Sequence, residues 1–195
     1  MIDSLTQISD QVKRCNLCKL SKSRLNAVPG DGTISAKIMI IGEAPGKTED
    51  TQGRPFVGMA GKILRNVLEK VDIGDETIFI TNIVKCRPPN NRIPEEDERI
   101  SCKNYLDRQV SLISPTIICV LGGTAYSFLL GGKSIMADHG KIIVRDNLKY
   151  FVTIHPAATI YNKQLKEIFE KDMEKLSYII KETSNKQRVM SDFMK

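Results

Sequence analysis

Residues 37–48 read KIMIIGEAPGKT, and the fold class turns on them. Ile38, Met39, Ile40 and Ile41 are apolar without alternation, and Gly42 stops the run. A strand with one wet face alternates apolar and polar side chains; an unbroken run suits a strand covered on both faces, as in parallel sheets. The run therefore predicts a buried parallel strand that delivers a glycine-containing loop at its carboxyl end.

Outward from this stretch, strand and helix signals alternate. Ile63, Leu64, Val67, Leu68 and Val71 recur at helical spacing and predict a helix over about 59–71. TIFITNIV predicts a second strand over about 77–84. EEDER at 95–99 predicts the first turn of a helix running to about 112, since carboxylates suit that end of the macrodipole. After Pro115 comes the strand TIICVLG, 116–122, then a short helix ending near Gly131 and Gly132. Two further strands, about 141–145 and 149–154, precede an amphipathic helix over about 163–181. Toward the N-terminus, residues 1–24 carry a short helical stretch and CNLC, with too few apolar residues to fold alone. The expectation is one three-layer α/β/α domain over 1–181, with a mainly parallel four-stranded central sheet, and a polar, loose tail over 182–195. Ligands of such folds bind beyond the carboxyl ends of the strands. The loop from Gly42, Asn82, Gly122 to Thr124, and His155 all fall there.

Composition narrows the function classes. A chain of 195 residues, 41% hydrophobic and 27% charged, suits one soluble globular domain and excludes collagen-like and disordered classes. No run approaches the roughly 18 apolar residues of a spanning helix, and MIDSLTQISDQVKRC lacks the apolar core of a secretory signal. A cytoplasmic protein is expected. The net charge of +6 favours polyanionic partners, although many basic enzymes share it. Five cysteines without an export signal suit metal or cluster ligation better than disulfides.

Three motifs carry chemistry. GEAPGKT at 42–48 resembles a phosphate-binding loop but is one residue short of a Walker A motif. Pro45 removes an N–H from the would-be cradle and Glu43 adds the wrong charge, so nucleotide hydrolysis is set aside. Cys15 and Cys18 have the two-residue gap of shared metal ligands, and Cys86 and Cys102 join them only through the fold. Cys119, inside IICVL, reads as a core thiol. Four thiolates suit zinc or an iron–sulfur cluster equally, and either would clamp the N-terminal segment onto residues 86–102. The third motif is Asn82 in TNIVK with His155 in HPAA, both on the crevice side; His139 in ADHGK reads as a satisfied surface or core histidine.

The order GEAPG, GRPFVGMAG, TNIVKCRPPNNRIP, VLGGTA and HPAA, with Cys15, Cys18, Cys86 and Cys102, resembles the prokaryotic iron–sulfur-containing type 4 uracil-DNA glycosylases over about residues 12–178. The resemblance implies a uracil-DNA glycosylase-like fold and a monomeric base-excision repair enzyme working at the nucleoid. It would hydrolyse the N-glycosidic bond of deoxyuridine in single- and double-stranded DNA by base flipping. It further implies a structural [4Fe–4S] cluster on the four cysteines and no catalytic metal ion. Phe56 matches the aromatic that stacks on the flipped base, Asn82 the amide that pairs with the uracil edge, and His155 the contact to O2.

Two departures from the better-known uracil glycosylases matter. Aligned on Pro45, Ala44 and Gly46 stand where those enzymes carry an Asp and a Tyr. Glu43, or backbone groups of the loop from Gly42 to Gly46, is then the candidate for positioning the water, and Glu49 for barring a 5-methyl group. Thr159 stands in place of the wedging Leu, which passes that role to Tyr161. Backbone contacts to DNA are expected from Gly122, Gly123, Thr124, Lys85, Arg87 and Arg92. The basic tail KQRVMSDFMK is a candidate to dock a sliding clamp. The competing reading is a cluster-stabilised nucleic-acid-binding or redox protein without glycosylase activity.

Overall fold

The computed structural model describes residues 4–193, with side chains over 4–183. In chain order the elements are α1 (Leu5–Arg14), β1 (Asp31–Gly32), β2 (Ile38–Gly42), α2 (Lys47–Gln52), α3 (Met59–Lys70), β3 (Ile78–Asn82), α4 (Glu96–Ile113), β4 (Ile117–Leu121), α5 (Gly123–Leu130), α6 (Ile135–Asp138), β5 (Lys141–Arg145), β6 (Leu148–Thr153) and α7 (Lys163–Phe193). They form one sheet in the order β1-β3-β2-β4-β6-β5. The inner four strands run parallel, and each edge adds an antiparallel strand.

The sheet is therefore six-stranded and mixed, which corrects the four-stranded expectation. β1 is two residues, Asp31 and Gly32, paired to Ile80 and Phe79. It has no apolar signature because only its backbone takes part. Gly32 sits at φ +134°, where a Cβ would lie 2.3 Å from the Ile78 carbonyl oxygen, so glycine alone permits the approach. At the other edge, Asp146 and Asn147 turn at φ 51° and 63°, two successive left-handed residues of the kind that close a tight hairpin between β5 and β6. The last helix continues past residue 181 to Phe193 and takes in most of the tail expected to be loose. The clamp-docking candidate in that tail lies outside the residues whose side chains are described.

Burial follows the pleat. Met39 and Ile41 of β2, Phe79, Ile118, Val120 and Val152 face one side and pack with residues of α1, α4 and α5, among them Val12, Leu106 and Ala125. Ile38 and Ile40, with Ile80, Cys119, Leu121 and Phe151, face the other, where Leu64 and Leu68 of α3 and Phe169 and Met173 of α7 cover them. The three-layer reading of the sequence holds. No helix among the described residues is long and apolar enough to cross a membrane.

This topology positions the site. The connection after β2 runs to β3 on one side, whereas the one after β4 runs to β6 on the other, so a crevice opens beyond the ends of the adjacent strands β2 and β4. Gly42 stands in register with Asn82, and Leu121 with Thr153. Those two pairings bring the ends of all four parallel strands to one rim.

Candidate active site

Glu43, Ala44, Gly46, Glu49, Phe56, Asn82 and His155 line one cavity of about 330 Å³ at that rim, together with Ala60, Asn91 and Ala157. The volume admits a flat ring with space to spare. The sequence-predicted base-reading residues thus meet, although they come from four separate segments. Asn91 was missed: it stands in a loop where both Asn90 and Asn91 take positive φ, and the pair Asn-Asn after two prolines was the available signal.

Asn82 ends β3 and is only 2% exposed. Its Oδ1 has no hydrogen-bond partner. A buried unpaired acceptor costs about 1–3 kcal/mol, so this oxygen is poised for a donor brought by a ligand. Gly42 opposite it leaves the space: a Cβ there would lie 2.6 Å from Asn82 Oδ1 and 2.7 Å from Phe56 Cζ.

Phe56 is buried and held at φ 52°, an uncommon conformation for an aromatic residue. Two features hold it. Gly61 lets its carbonyl approach, since a Cβ on Gly61 would lie 1.8 Å from Phe56 O. Glu49, from the first turn of α2, accepts hydrogen bonds from Val57 N at 3.0 Å and Gly58 N at 2.8 Å through Oε1, and from Gly46 N at 3.1 Å through Oε2. One carboxylate thus ties the loop after β2 to the turn that presents the Phe56 ring. That ring lies 5.8 Å from the His155 ring, tilted by 34°.

His155 follows β6, and its Cβ packs against Gly122, where a Cβ would come within 2.9 Å. Ala157 N donates to His155 Nδ1 at 3.2 Å, which makes Nδ1 the acceptor and leaves the proton on Nε2. Burial lowers its pKa from the usual histidine value to about 4. The ring is neutral at physiological pH and offers one N–H donor.

The expected DNA contacts divide. Lys85 is 1% exposed, its ammonium bonded to Thr81 Oγ1, to Asn82 O at 2.9 Å and to Gln109 Oε1 at 2.8 Å; it faces the interior and is no phosphate contact. Arg92 is held by buried Glu98 through two bonds of 2.8 and 2.7 Å, so its charge is matched within the protein. Gly122 N donates to Thr153 O at 2.9 Å and is not available to a phosphate. Gly123 and Thr124 keep their places in the first turn of α5. Arg87 lies beside the cavity loop, with Nε on Asn91 Oδ1 at 2.7 Å. Tyr161 is 98% exposed, whereas Thr159 is turned inward with its hydroxyl on Pro156 O at 2.8 Å.

Cys15, Cys18, Cys86 and Cys102 surround a second cavity with Arg24, Lys85 and Tyr105. Donors face the ring: Cys86 Sγ accepts from Arg24 Nη1 at 2.8 Å and Cys102 Sγ from Lys85 N–H at 3.3 Å, while the Tyr105 hydroxyl is beside Cys15 and Leu20 N–H beside Cys18. Burial pushes the Cys102 thiol up to about 11 and raises those of Cys18 and Cys86. Thiols that are costly to ionise, yet have donors facing them, suit a cationic group that takes them as thiolates. Among the described residues no three His, Cys, Asp or Glu side chains form a group that could hold a single metal ion. The thiols ring a space rather than converge on a point. Cys119 is buried in β4, away from the ring.

The comparisons with known proteins agree with this geometry. The model of the Uracil DNA glycosylase superfamily matches residues 29–177. The chain is similar to a type-4 uracil-DNA glycosylase of Saccharolobus solfataricus, 43% identical over 203 aligned positions covering 99% of this chain and 93% of that protein. It is similar to one of Sulfurisphaera tokodaii, 48% identical over 185 positions covering 90% and 84%. A third, of Thermotoga maritima, is 40% identical over 179 positions covering 89% and 93%.

Proposed function

The chain belongs to the uracil DNA glycosylase superfamily and groups with its type-4 enzymes, and we infer that it hydrolyses the N-glycosidic bond of deoxyuridine in DNA, leaving an abasic site for base-excision repair. The observation that carries the reading is the unpaired Asn82 Oδ1, buried in the cavity lined by Phe56 and His155. Uracil brings an N3–H donor to that acceptor; cytosine has a lone pair at the same place and would leave two acceptors facing each other.

A base inside a duplex is out of reach, so the nucleotide enters the cavity extruded or as single strand, and the Phe56 face replaces the lost stacking. Tyr161, fully exposed beside the 155–159 turn, fills the gap that the base leaves. Bond cleavage builds positive charge on the sugar and negative charge on uracil O2. The His155 Nε2–H is the donor for that oxygen, and a neutral imidazole donates without moving a proton to the leaving base. Both Glu49 oxygens are engaged with backbone N–H groups. Glu43 is then the carboxylate on the cavity wall left to orient the water, while Ala44 and Gly46 form the wall itself. Glu49 acts as a strut, and its bulk on the same wall is the candidate barrier to a 5-methyl group.

The four-cysteine ring fits a [4Fe–4S] cluster by its donor set and its spacing around a space. Cys15 and Cys18 after α1, Cys86 after β3 and Cys102 in α4 would hold it, and it would cross-link those segments. DNA backbone is met by Gly123, Thr124 and Arg87, and the enzyme works in the cytoplasm on the nucleoid, as a monomer without a catalytic metal ion. The test is incubation with oligonucleotides carrying one uracil, thymine or cytosine, in EDTA, followed by alkaline cleavage. Strand breaks at uracil alone are expected; no break from protein with an intact brown chromophore would favour a binding or redox role.

A further inference from the structure

Lys85 is a fully buried lysine with no carboxylate against it. All three N–H bonds of its ammonium end on neutral oxygens: Thr81 Oγ1, Asn82 O and Gln109 Oε1. Two of those partners are themselves anchored, because the Thr81 hydroxyl and Gln109 Nε2 both donate to Pro29 O, at 3.0 and 2.8 Å. The network is closed and every member is satisfied. The backbone of Lys85 is held as well: Val28 N donates to its carbonyl at 2.7 Å, and its own N–H points at Cys102 Sγ. One residue therefore joins the end of β3 to α4, to residues 28–29 and to the four-cysteine ring.

Burying an ammonium with no carboxylate against it is costly even after relaxation, its one ionisable neighbour among the described residues being the Cys102 thiol, and a packing role alone would be met at less cost by Leu or Met. What an ammonium supplies is three donors of fixed direction from one atom. One of them grips the carbonyl of Asn82, the residue whose side-chain oxygen hangs in the cavity without a partner of its own. The direction of that amide is set by its backbone and by the space that Gly42 leaves beside it, not by hydrogen bonds to Oδ1. We propose that Lys85 is a positioning residue for excision: its ammonium locks the Asn82 peptide, through Thr81 and Gln109, so that the Asn82 amide meets the uracil edge in one orientation. The proposal rests on Asn82 reading the base.

The test is a double-mutant cycle under single-turnover conditions on uracil oligonucleotides, with chromophore absorbance and thermal midpoint followed alongside. Lys85→Met removes the three donors at similar length. It should slow excision about 10²-fold, the scale of a small misplacement near reacting atoms, with oligonucleotide affinity nearly unchanged. In an Asn82→Ala background it should slow excision no further, which a merely structural role would not produce. Gln109→Leu, which removes one acceptor well away from the cysteines, should show a smaller loss with the same non-additivity, and it decides the matter if Lys85→Met does not hold its chromophore. A wild-type rate in the variant that folds, or equal losses in both backgrounds, overturns the proposal. Near-normal excision by Asn82→Ala alone overturns the reading of Asn82, and the proposal with it.

Discussion

At the residue scale the site depends on atoms left without partners. Asn82 Oδ1 and the His155 Nε2–H are the two groups that a uracil ring would complete. The environment that keeps His155 neutral also makes acid stability depend on it. Its pKa falls from about 6.5 in an unfolded chain to about 4 in the fold. The unfolded chain then binds more protons throughout that interval, so this contribution is whole above about 6.5 and lost as pH falls toward 4. Glu98 works in the same direction at lower pH. Arg92 beside it holds its carboxyl below the usual range, so that contribution fades once the pH drops below the ordinary carboxylate value. Thermal melts from pH 7 to 4 should show the midpoint falling across the histidine window. His155→Gln should flatten that part of the curve, and an unchanged slope would contradict the burial account.

At the element scale the decisive object is the pair of turns that Glu49 joins. α2 is only six residues long and places Glu49 where both of its oxygens are saturated by N–H groups of two loops. Glu49→Ala leaves three donors without this partner and frees the Phe56 turn. Excision should drop by about 10–10² with uracil-oligonucleotide affinity weakened too, as measured by single-turnover rates over a range of enzyme concentration. A change in affinity to undamaged DNA alone would point to a surface role. The sequence made Glu49 legible as a loop acid near the site, but not its function, because the partners are backbone groups of residues 46, 57 and 58 that no pattern announces. The apolar runs of β2, β3 and β4 were legible because burial on both faces writes itself into composition. β1 was not, since two residues paired through their backbone leave no hydrophobic trace.

At the scale of the whole molecule, two candidate sites meet at one strand end. The cavity lined by Phe56, Asn82 and His155 lies on one side of the residues after β3 and the four-cysteine ring on the other, with Lys85 between them. The cysteine set was readable from spacing and from the polar surroundings of Cys86 and Cys102. The sequence makes Lys85 and Arg92 candidate DNA contacts, whereas the fold buries Lys85 and pairs Arg92 with Glu98; a lysine or arginine in a loop carries no mark of the tertiary acceptors that bury or neutralise it. The ring predicts a division among the thiols. Cys86→Ser and Cys102→Ser should lose visible absorbance and melt at lower temperature, whereas Cys119→Ala, a core substitution, should keep the chromophore while losing some stability. Equal loss of colour from Cys119→Ala would mean that the ring has been drawn wrongly.

The claim on which the rest stands is that the cavity between Phe56, Asn82 and His155 is where uracil is released. It is tested most directly by single-turnover excision with wild type, Asn82→Ala and His155→Ala, each shown to keep its chromophore and its thermal midpoint. Loss of a transition-state donor is worth about 10²–10³ in rate. His155→Ala should therefore slow by that factor and Asn82→Ala comparably, with binding of abasic product DNA preserved. Excision near the wild-type rate by either folded variant would contradict the assignment and send the search for the site elsewhere on the rim.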